Sequence, residues 1–314
     1  MCSGYFGDNE MRILLTGSIN WTEEEKEKIL CLGHEILYIQ DERIPLKEQN
    51  IEVSQIEGVI CNGLFLYNDI VDFKNLKYIQ LTSAGFDRAP MKYIQEHDIE
   101  IHNARGVYSI PMAEFAIGGV LQLYKHSRAF YEKQKIHSWE KDRRIIELAD
   151  KTVCIVGCGS VGTECAKRFK AFECTVIGLD KYPYKDETYE DMKGLDSLTF
   201  ILQRSDVVVL TLPLTEETKY LINKDRLNAM KKGAILVNIA RGAVIDTEAL
   251  IKAMPKLGGA VLDVLEEEPL AVDSPLWSMD NVIVTPHNSF VGEKNRERLQ
   301  KVILSGLSRR NRQK

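Results

Sequence analysis

The sequence predicts an α/β protein built on two doubly wound parallel sheets, and three observations carry that prediction. Its 314 residues exceed what one ordinary hydrophobic core organises and suit two domains. Short apolar runs bounded by turn residues alternate with helical patterns along most of the chain. Between one apolar run and the helix after it, a turn carries Gly157, Gly159 and Gly162.

The first hundred residues read as a flavodoxin-like, doubly wound unit. Residues 12–16 (RILLT) suit a strand, 22–32 a helix with a charged first turn before Ile29, Leu30 and Leu32, and 35–39 a second strand. Further strands are expected at 58–61 (GVIC), 76–81 (LKYIQL) and 99–102, with a short helix at 91–96. Near Asn103 the pattern changes. Residues 112–126 (MAEFAIGGVLQLYKH) are apolar on most helical faces, as for a helix buried between larger bodies, and a charged stretch over 128–147 carries Trp139.

From Thr152 the alternation becomes regular. Strands are expected at 152–156, 175–179, 207–212, 234–239, 259–264 and 282–285, closing a six-stranded parallel sheet, with helices at 160–171, 224–230 and 246–254. A last helix over 293–307 is expected to return to the first domain.

Composition excludes several classes of partner. The formal net charge of −5 gives no sequence-wide basic field, which argues against nucleic acid or an anionic membrane, while a small anionic substrate needs only a local cation. No stretch reaches the roughly 18 apolar residues of a membrane span, and the start (MCSGYFGDNE) lacks basic and apolar segments, so a cytoplasmic protein is expected. The seven cysteines (Cys2, Cys31, Cys61, Cys154, Cys158, Cys165 and Cys174) form no CxxC pair and read as isolated reduced thiols. Cys158 differs in position, since the helix N-terminus beside it could lower its pKa. No cluster has metal-ligand spacing, so no metal is expected.

The glycine turn is informative because of its surroundings. Gly157 allows the tight turn, Gly159 lets the backbone approach a pyrophosphate, and Gly162 lets the helix pack on the sheet, with Ser160 and Val161 opening that helix. Asp180 ends the next expected strand, about twenty residues on, where a carboxylate can take both ribose hydroxyls of NAD and repel a 2′-phosphate. Lys181 beside it tempers that preference. Downstream, Arg241, Glu268 and His287 supply what reduction of a 2-oxo acid needs: a guanidinium for the substrate carboxylate, an imidazole to protonate the carbonyl oxygen and an acid to hold the imidazole.

Several long motifs resemble the D-isomer-specific 2-hydroxyacid dehydrogenase family: LTSAGFD (81–87), LTLPLTEET (210–218), LVNIARGAVIDTEAL (236–250), VLDVLEEEP (261–269) and VIVTPHNS (282–289). The resemblance implies a Rossmann NAD-binding domain over 103–287, inserted into a flavodoxin-like substrate domain of 11–102 and 288–314; the chain's length leads one to expect a cleft between two domains, and the strand that opens at Met11 leaves residues 1–10 as a loose leader. It implies that Arg241 binds the substrate carboxylate and carbonyl and that Glu268 partners the catalytic His287. It also implies that Asp263 holds the nicotinamide amide, that Leu212, Pro213, Ile239 and Ala240 line the cofactor, and that the backbone of Ser83, Ala84 and Gly85 meets the substrate carboxylate. A C2 homodimer is expected through the apolar helix near 115–124 and the arm bearing Trp139.

Two departures bear on substrate. Members acting on 3-phosphoglycerate often carry a cation after the third strand of the first domain, and here residues 62–67 read NGLFLY. Arg105 stands where proline is common. An NADH-sensing corepressor on the same fold is the alternative reading; such proteins carry a long C-terminal extension, and this chain stops soon after its last helix.

Overall fold

The computed structural model describes residues 10–310, so the leader expected over 1–10 lies, apart from Glu10, outside the described residues. The chain forms two compact units, one of the described residues up to Tyr108 together with those from Glu293 onward, the other Ser109–Gly292.

In the first unit β1 (Arg12–Thr16), α1 (Glu23–Leu30), β2 (Glu35–Ile39), β3 (Gly58–Cys61), β4 (Tyr78–Leu81), α2 (Met91–Glu96) and β5 (Glu100–His102) follow one another closely along the expected pattern. The strands pair in parallel in the order β2-β1-β3-β4-β5. Because successive strand side chains point to opposite faces, Leu14, Val59 and Ile79 enter one apolar layer and Ile13, Ile60 and Tyr78 the other. Apolar residues on both faces explain why these strands read as continuous hydrophobic runs.

The second unit opens with α3 (Ser109–Tyr124) and α4 (Ser127–Lys135). Then come β6 (Thr152–Val156), α5 (Ser160–Ala171), β7 (Thr175–Leu179), β8 (Asp191–Lys193), α6 (Leu198–Leu202), β9 (Val207–Leu210), α7 (Lys224–Ala229), β10 (Ile235–Asn238), α8 (Thr247–Ala253), β11 (Gly259–Leu262) and β12 (Val282–Val284). The strands pair in parallel in the order β12-β11-β10-β9-β6-β7-β8. The sheet therefore has seven strands and not the expected six. The added strand, β8, has three residues (DMK) at the sheet edge and lacks the apolar run that marks a buried strand. The charged stretch after α3 likewise contains a helix, α4, which buries no residue and so shows no core-facing stripe in sequence. α3 packs against α5, β10 and β11, and a Cβ on Gly119 would stand 2.7 Å from Val261, so that glycine lets helix and sheet approach.

The last helix, α9 (Asn295–Arg310), belongs to the first unit and contributes Leu299, Ile303 and Leu307 to the layer beneath β1 and β4. One polar contact fixes it. Thr22 and Glu25 form a capping box at the start of α1, and the same Glu25 carboxylate accepts two hydrogen bonds from Arg296, at 2.9 and 2.7 Å.

The Arg296 hydrogen bond is the largest influence on Glu25 and lowers its pKa from 4.5 to about 2. A depressed folded-state value adds stability that is complete above pH 4.5 and is lost as pH falls toward 2. Urea unfolding at pH 7 and pH 3 should show Glu25→Gln less stable by about 1–2 kcal/mol at pH 7, with the gap narrowing at pH 3. A pH-independent gap would assign the loss to packing instead.

Candidate active site

The cofactor and catalytic candidates of the second unit follow the carboxyl ends of strands in its parallel sheet. Gly157 follows β6, Asp180 follows β7, Leu212 and Pro213 follow β9, Ile239 to Arg241 follow β10, Asp263 follows β11, and His287 follows β12. In an open parallel sheet that edge is where ligands bind, at the point where the strand order reverses. Here the reversal falls between β6 and β9, because the chain runs outward through β7 and β8 before returning to the other side of β6.

At that point Gly157 has φ +96° and a Cβ on it would stand 2.6 Å from the Leu212 nitrogen, so both conformation and space require glycine. A Cβ on Gly162 would stand 2.1 Å from the Gly157 carbonyl oxygen, while one on Gly159 would meet nothing within 4 Å. The first and third glycines thus serve packing. The second leaves open space at the amino end of α5, where backbone N–H groups and the helix dipole favour an anion.

Asp180 is tied to this turn. Its Oδ2 accepts from the Cys158 backbone at 2.8 Å and its Oδ1 from the Tyr182 backbone at 3.0 Å, while the Tyr184 hydroxyl donates to the Cys158 carbonyl at 2.7 Å. Lys181 is paired with Glu217 at 2.6 Å. Cys158 does not behave as its position suggested: it is buried, and burial pushes its thiol up to about 12. Cys61, Cys154, Cys165 and Cys174 are also free and buried, whereas Cys31 is disulfide-bonded and departs from the reading of isolated thiols.

Three adjacent strands carry the chemical residues. Their order, β10-β11-β12, brings the loops bearing Arg241, Glu268 and His287 together. His287 Nδ1 lies 2.9 Å from Glu268 Oε2, and Glu268 Oε1 accepts from the Leu265 backbone at 3.1 Å. Glu268 is thereby distinguished from Glu266, which accepts instead from the Thr247 backbone at 2.8 Å. Arg241 is extended (φ −143°, ψ 144°), and a Cβ on the next residue, Gly242, would stand 1.9 Å from the Leu265 carbonyl group. Only glycine lets the Arg241 loop lie against the loop that leads to Glu268.

Asp263 is 1 % exposed and holds the His287 turn. Its Oδ1 accepts from Thr285 Oγ1 and from the Asn288 backbone, both at 2.7 Å, its Oδ2 accepts from the Ser289 backbone at 3.0 Å, and its carbonyl accepts from the His287 backbone at 2.8 Å. His287 itself has φ +52°, a left-handed conformation that a non-glycine residue keeps only when its surroundings impose it. Sequence reasoning missed Asn238, which is fully buried, donates to the Arg241 carbonyl at 3.0 Å and accepts from the Ala240 backbone at 3.1 Å. A polar residue ending an apolar strand was the available signal.

In the first unit the expected substrate loop follows β4. Asn103 Nδ2 donates to the Ala84 carbonyl at 2.6 Å, the Ala104 backbone to the Ser83 carbonyl at 2.8 Å, and Ser83 Oγ to the Gly85 carbonyl at 3.0 Å. The loop's carbonyls are thus held while the N–H groups of Ser83, Ala84 and Gly85 meet no acceptor among the described residues. Also among the described residues, no group of His, Cys, Asp and Glu could hold a metal ion, and no helix is long and apolar enough to cross a membrane.

Asp263→Ala should leave the three donors of Thr285, Asn288 and Ser289 without their buried acceptor, costing about 2–4 kcal/mol in urea unfolding. A loss under about 0.5 kcal/mol would show that the turn is held by other contacts.

Residues 117–289 match the family model described as D-isomer specific 2-hydroxyacid dehydrogenase, NAD binding domain. A glyoxylate reductase of Thermofilum pendens is 36 % identical over 74 % of this chain and 71 % of its own. A hydroxypyruvate reductase of Thermotoga maritima is 36 % identical over 82 % of this chain and 86 % of its own. Among solved structures, a D-lactate dehydrogenase from Aquifex aeolicus, complexed with NAD and lactic acid, superposes with a TM-score of 0.74 at 28 % identity over 94 % of each chain.

Proposed function

Because the chain belongs to the D-isomer-specific 2-hydroxyacid dehydrogenase family, we propose that Arg241, Glu268 and His287 are the reacting set of this NAD-dependent enzyme, interconverting a small 2-oxo acid and its D-2-hydroxy acid. The contact between His287 Nδ1 and Glu268 at 2.9 Å carries the reading. Glu268 accepts from Nδ1–H, which fixes the tautomer and ring orientation and leaves Nε2 for the substrate. The imidazole is 44 % exposed, so a small molecule can reach it.

The dinucleotide supplies and accepts the hydride. In reduction, His287 Nε2–H gives its proton to the carbonyl oxygen as the hydride reaches the carbonyl carbon, and the alcohol forms with no charge left on oxygen. In oxidation the same nitrogen takes the hydroxyl proton as the hydride leaves carbon. In the second unit Arg241 offers paired N–H donors for a substrate carboxylate and carbonyl; in the first unit the N–H groups of Ser83, Ala84 and Gly85, which meet no acceptor among the described residues, are donors for a carboxylate.

For the cofactor, Gly157, Gly159, Ser160, Val161 and Gly162 form the pyrophosphate cradle, and Leu212, Pro213, Ile239 and Ala240 line it. Asp180 takes the adenosine ribose hydroxyls, and the pairing of Lys181 with Glu217 withdraws the cation that a 2′-phosphate would need, so NADH is preferred over NADPH. Asp263 acts first as a positioning residue for His287, and its Oδ2, with a single donor, keeps capacity for the nicotinamide amide.

One assay series tests this reading, following NADH or NADPH consumption with glyoxylate, hydroxypyruvate and pyruvate. His287→Ala should lower turnover by about 10²–10⁴ with NADH binding intact. Arg241→Lys should also lose efficiency, because an ammonium cannot reproduce the two-pronged contact, and Asp180→Ala should erode the preference for NADH. Loss of NADH affinity equal to the loss of turnover in His287→Ala would make that residue structural.

We propose also that the protein is a C2 homodimer, with α4 and the segment after it at the interface. Trp139 is 100 % exposed and Ile136 76 %, and Tyr131 lies on the same segment, an apolar grouping that a symmetric partner would cover. Sedimentation velocity at micromolar concentration should give a dimer that Trp139→Ala weakens; a monomeric wild type would overturn the proposal.

A further inference from the structure

We propose that Glu42 makes this enzyme reject 2-oxo acids bearing a second anionic group, a phosphate in particular; the proposal rests on the reading of the site given above. The strand order of the first unit reverses between β1 and β3, so the loops leaving these strands part at the carboxyl edge and open a crevice there. The Glu42 carboxylate occupies it. Its Oε2 accepts from Thr16 Oγ1 at 2.7 Å and from the Asn62 backbone at 3.1 Å, and its Oε1 accepts from the Gly63 backbone at 2.6 Å. Two successive backbone N–H groups and a hydroxyl form a ready anion site, and the chain fills it with an acid of its own.

This site adjoins the expected substrate loop within the same unit. β3 and β4 are neighbours, and the Thr82 backbone donates to the Cys61 carbonyl at 2.8 Å, so the loops after the two strands start one strand spacing apart, about 4.8 Å. A substrate whose carboxylate rests on Ser83, Ala84 and Gly85 can therefore reach the Asn62–Gly63 turn with a distal group two or three bonds away. A neutral hydroxyl there meets no like charge, whereas a phosphate meets one and finds the N–H groups taken.

The remaining charges nearby do not cancel this. Arg43 is paired with Asp41 at 3.0 Å. The Arg88 stem passes Gly63, its Cδ lying 3.9 Å from where a Cβ on that glycine would stand. With glutamine in place of Glu42 the fixed negative charge is gone and at least one of the Asn62 and Gly63 N–H groups loses its acceptor, so these donors and Arg88 would favour an anion and one substitution is expected to reverse the sign of the subsite.

The test compares hydroxypyruvate with 3-phosphohydroxypyruvate, using NADH and the full chain. The unmutated enzyme should favour hydroxypyruvate by at least about 100-fold in kcat/KM. Glu42→Gln should raise kcat/KM for the phosphorylated substrate at least tenfold and change that for hydroxypyruvate by less than about threefold. Equal efficiency on both substrates before mutation, or an equal loss on both after it, overturns the role of Glu42 and leaves the reacting set untouched; no reduction of any 2-oxo acid overturns the reading of the site and this proposal with it. Should Glu42→Gln fail to fold, inhibition of the unmutated enzyme decides: D-glycerate should bind at least about tenfold more tightly than 3-phosphoglycerate, and equal constants overturn the proposal.

Discussion

The buried carboxylate of Asp263 is the constraint on which the candidate site depends. It leaves β11 beneath the loop that follows β12, and it accepts from Thr285, Asn288 and Ser289 on both sides of His287. A buried carboxylate without such donors would be costly, so the acid and the turn require each other. The left-handed backbone of His287 is held in this way, with the imidazole turned to Glu268 on the neighbouring loop. The proposed proton-transfer geometry thus begins with an acid that need not touch the proton.

The same device recurs elsewhere in the fold. Asp180 accepts from the backbone of the glycine turn, and Glu42 accepts from two backbone N–H groups after β3. In each case a loop at the carboxyl edge of a parallel sheet is fixed by a carboxylate from a neighbouring segment, which satisfies donors that would otherwise face solvent. Among the described residues, the amino end of α5 beside Gly159 and the loop of Ser83, Ala84 and Gly85 present donors without such an internal acid. Those are the two places where the proposed function needs an anion, a pyrophosphate at the first and a substrate carboxylate at the second. A net charge of −5 is compatible with that proposal, because a local group of N–H donors and not the overall charge would meet each anion.

Legibility in the sequence followed burial. β1, β3, β6, β9 and β10 carry apolar side chains to both faces, and their hydrophobic runs marked them to within a residue or two. The strand β8 and the helix α4 contribute little or nothing to a core, so they left no period to read. The glycines were legible as a motif, yet their division of labour was not, because a clash with Leu212 or with the Gly157 carbonyl exists only once the strands are assembled.

By itself the sequence determined the two-sheet α/β class and the glycine turn with its acid, and it supplied the residue types of the proposed reacting set, since each depends on local pattern or on chemistry that one side chain brings. Tertiary structure decided which acid serves which partner. Glu268 and not Glu266 meets His287, Glu217 neutralises Lys181, and Glu42 fills the turn after β3. It also decided the state of Cys158, whose thiol is governed by burial and not by the helix end beside it. Such pairings join residues up to 36 positions apart through loops that meet only when parallel strands align, and no local period in the chain encodes them.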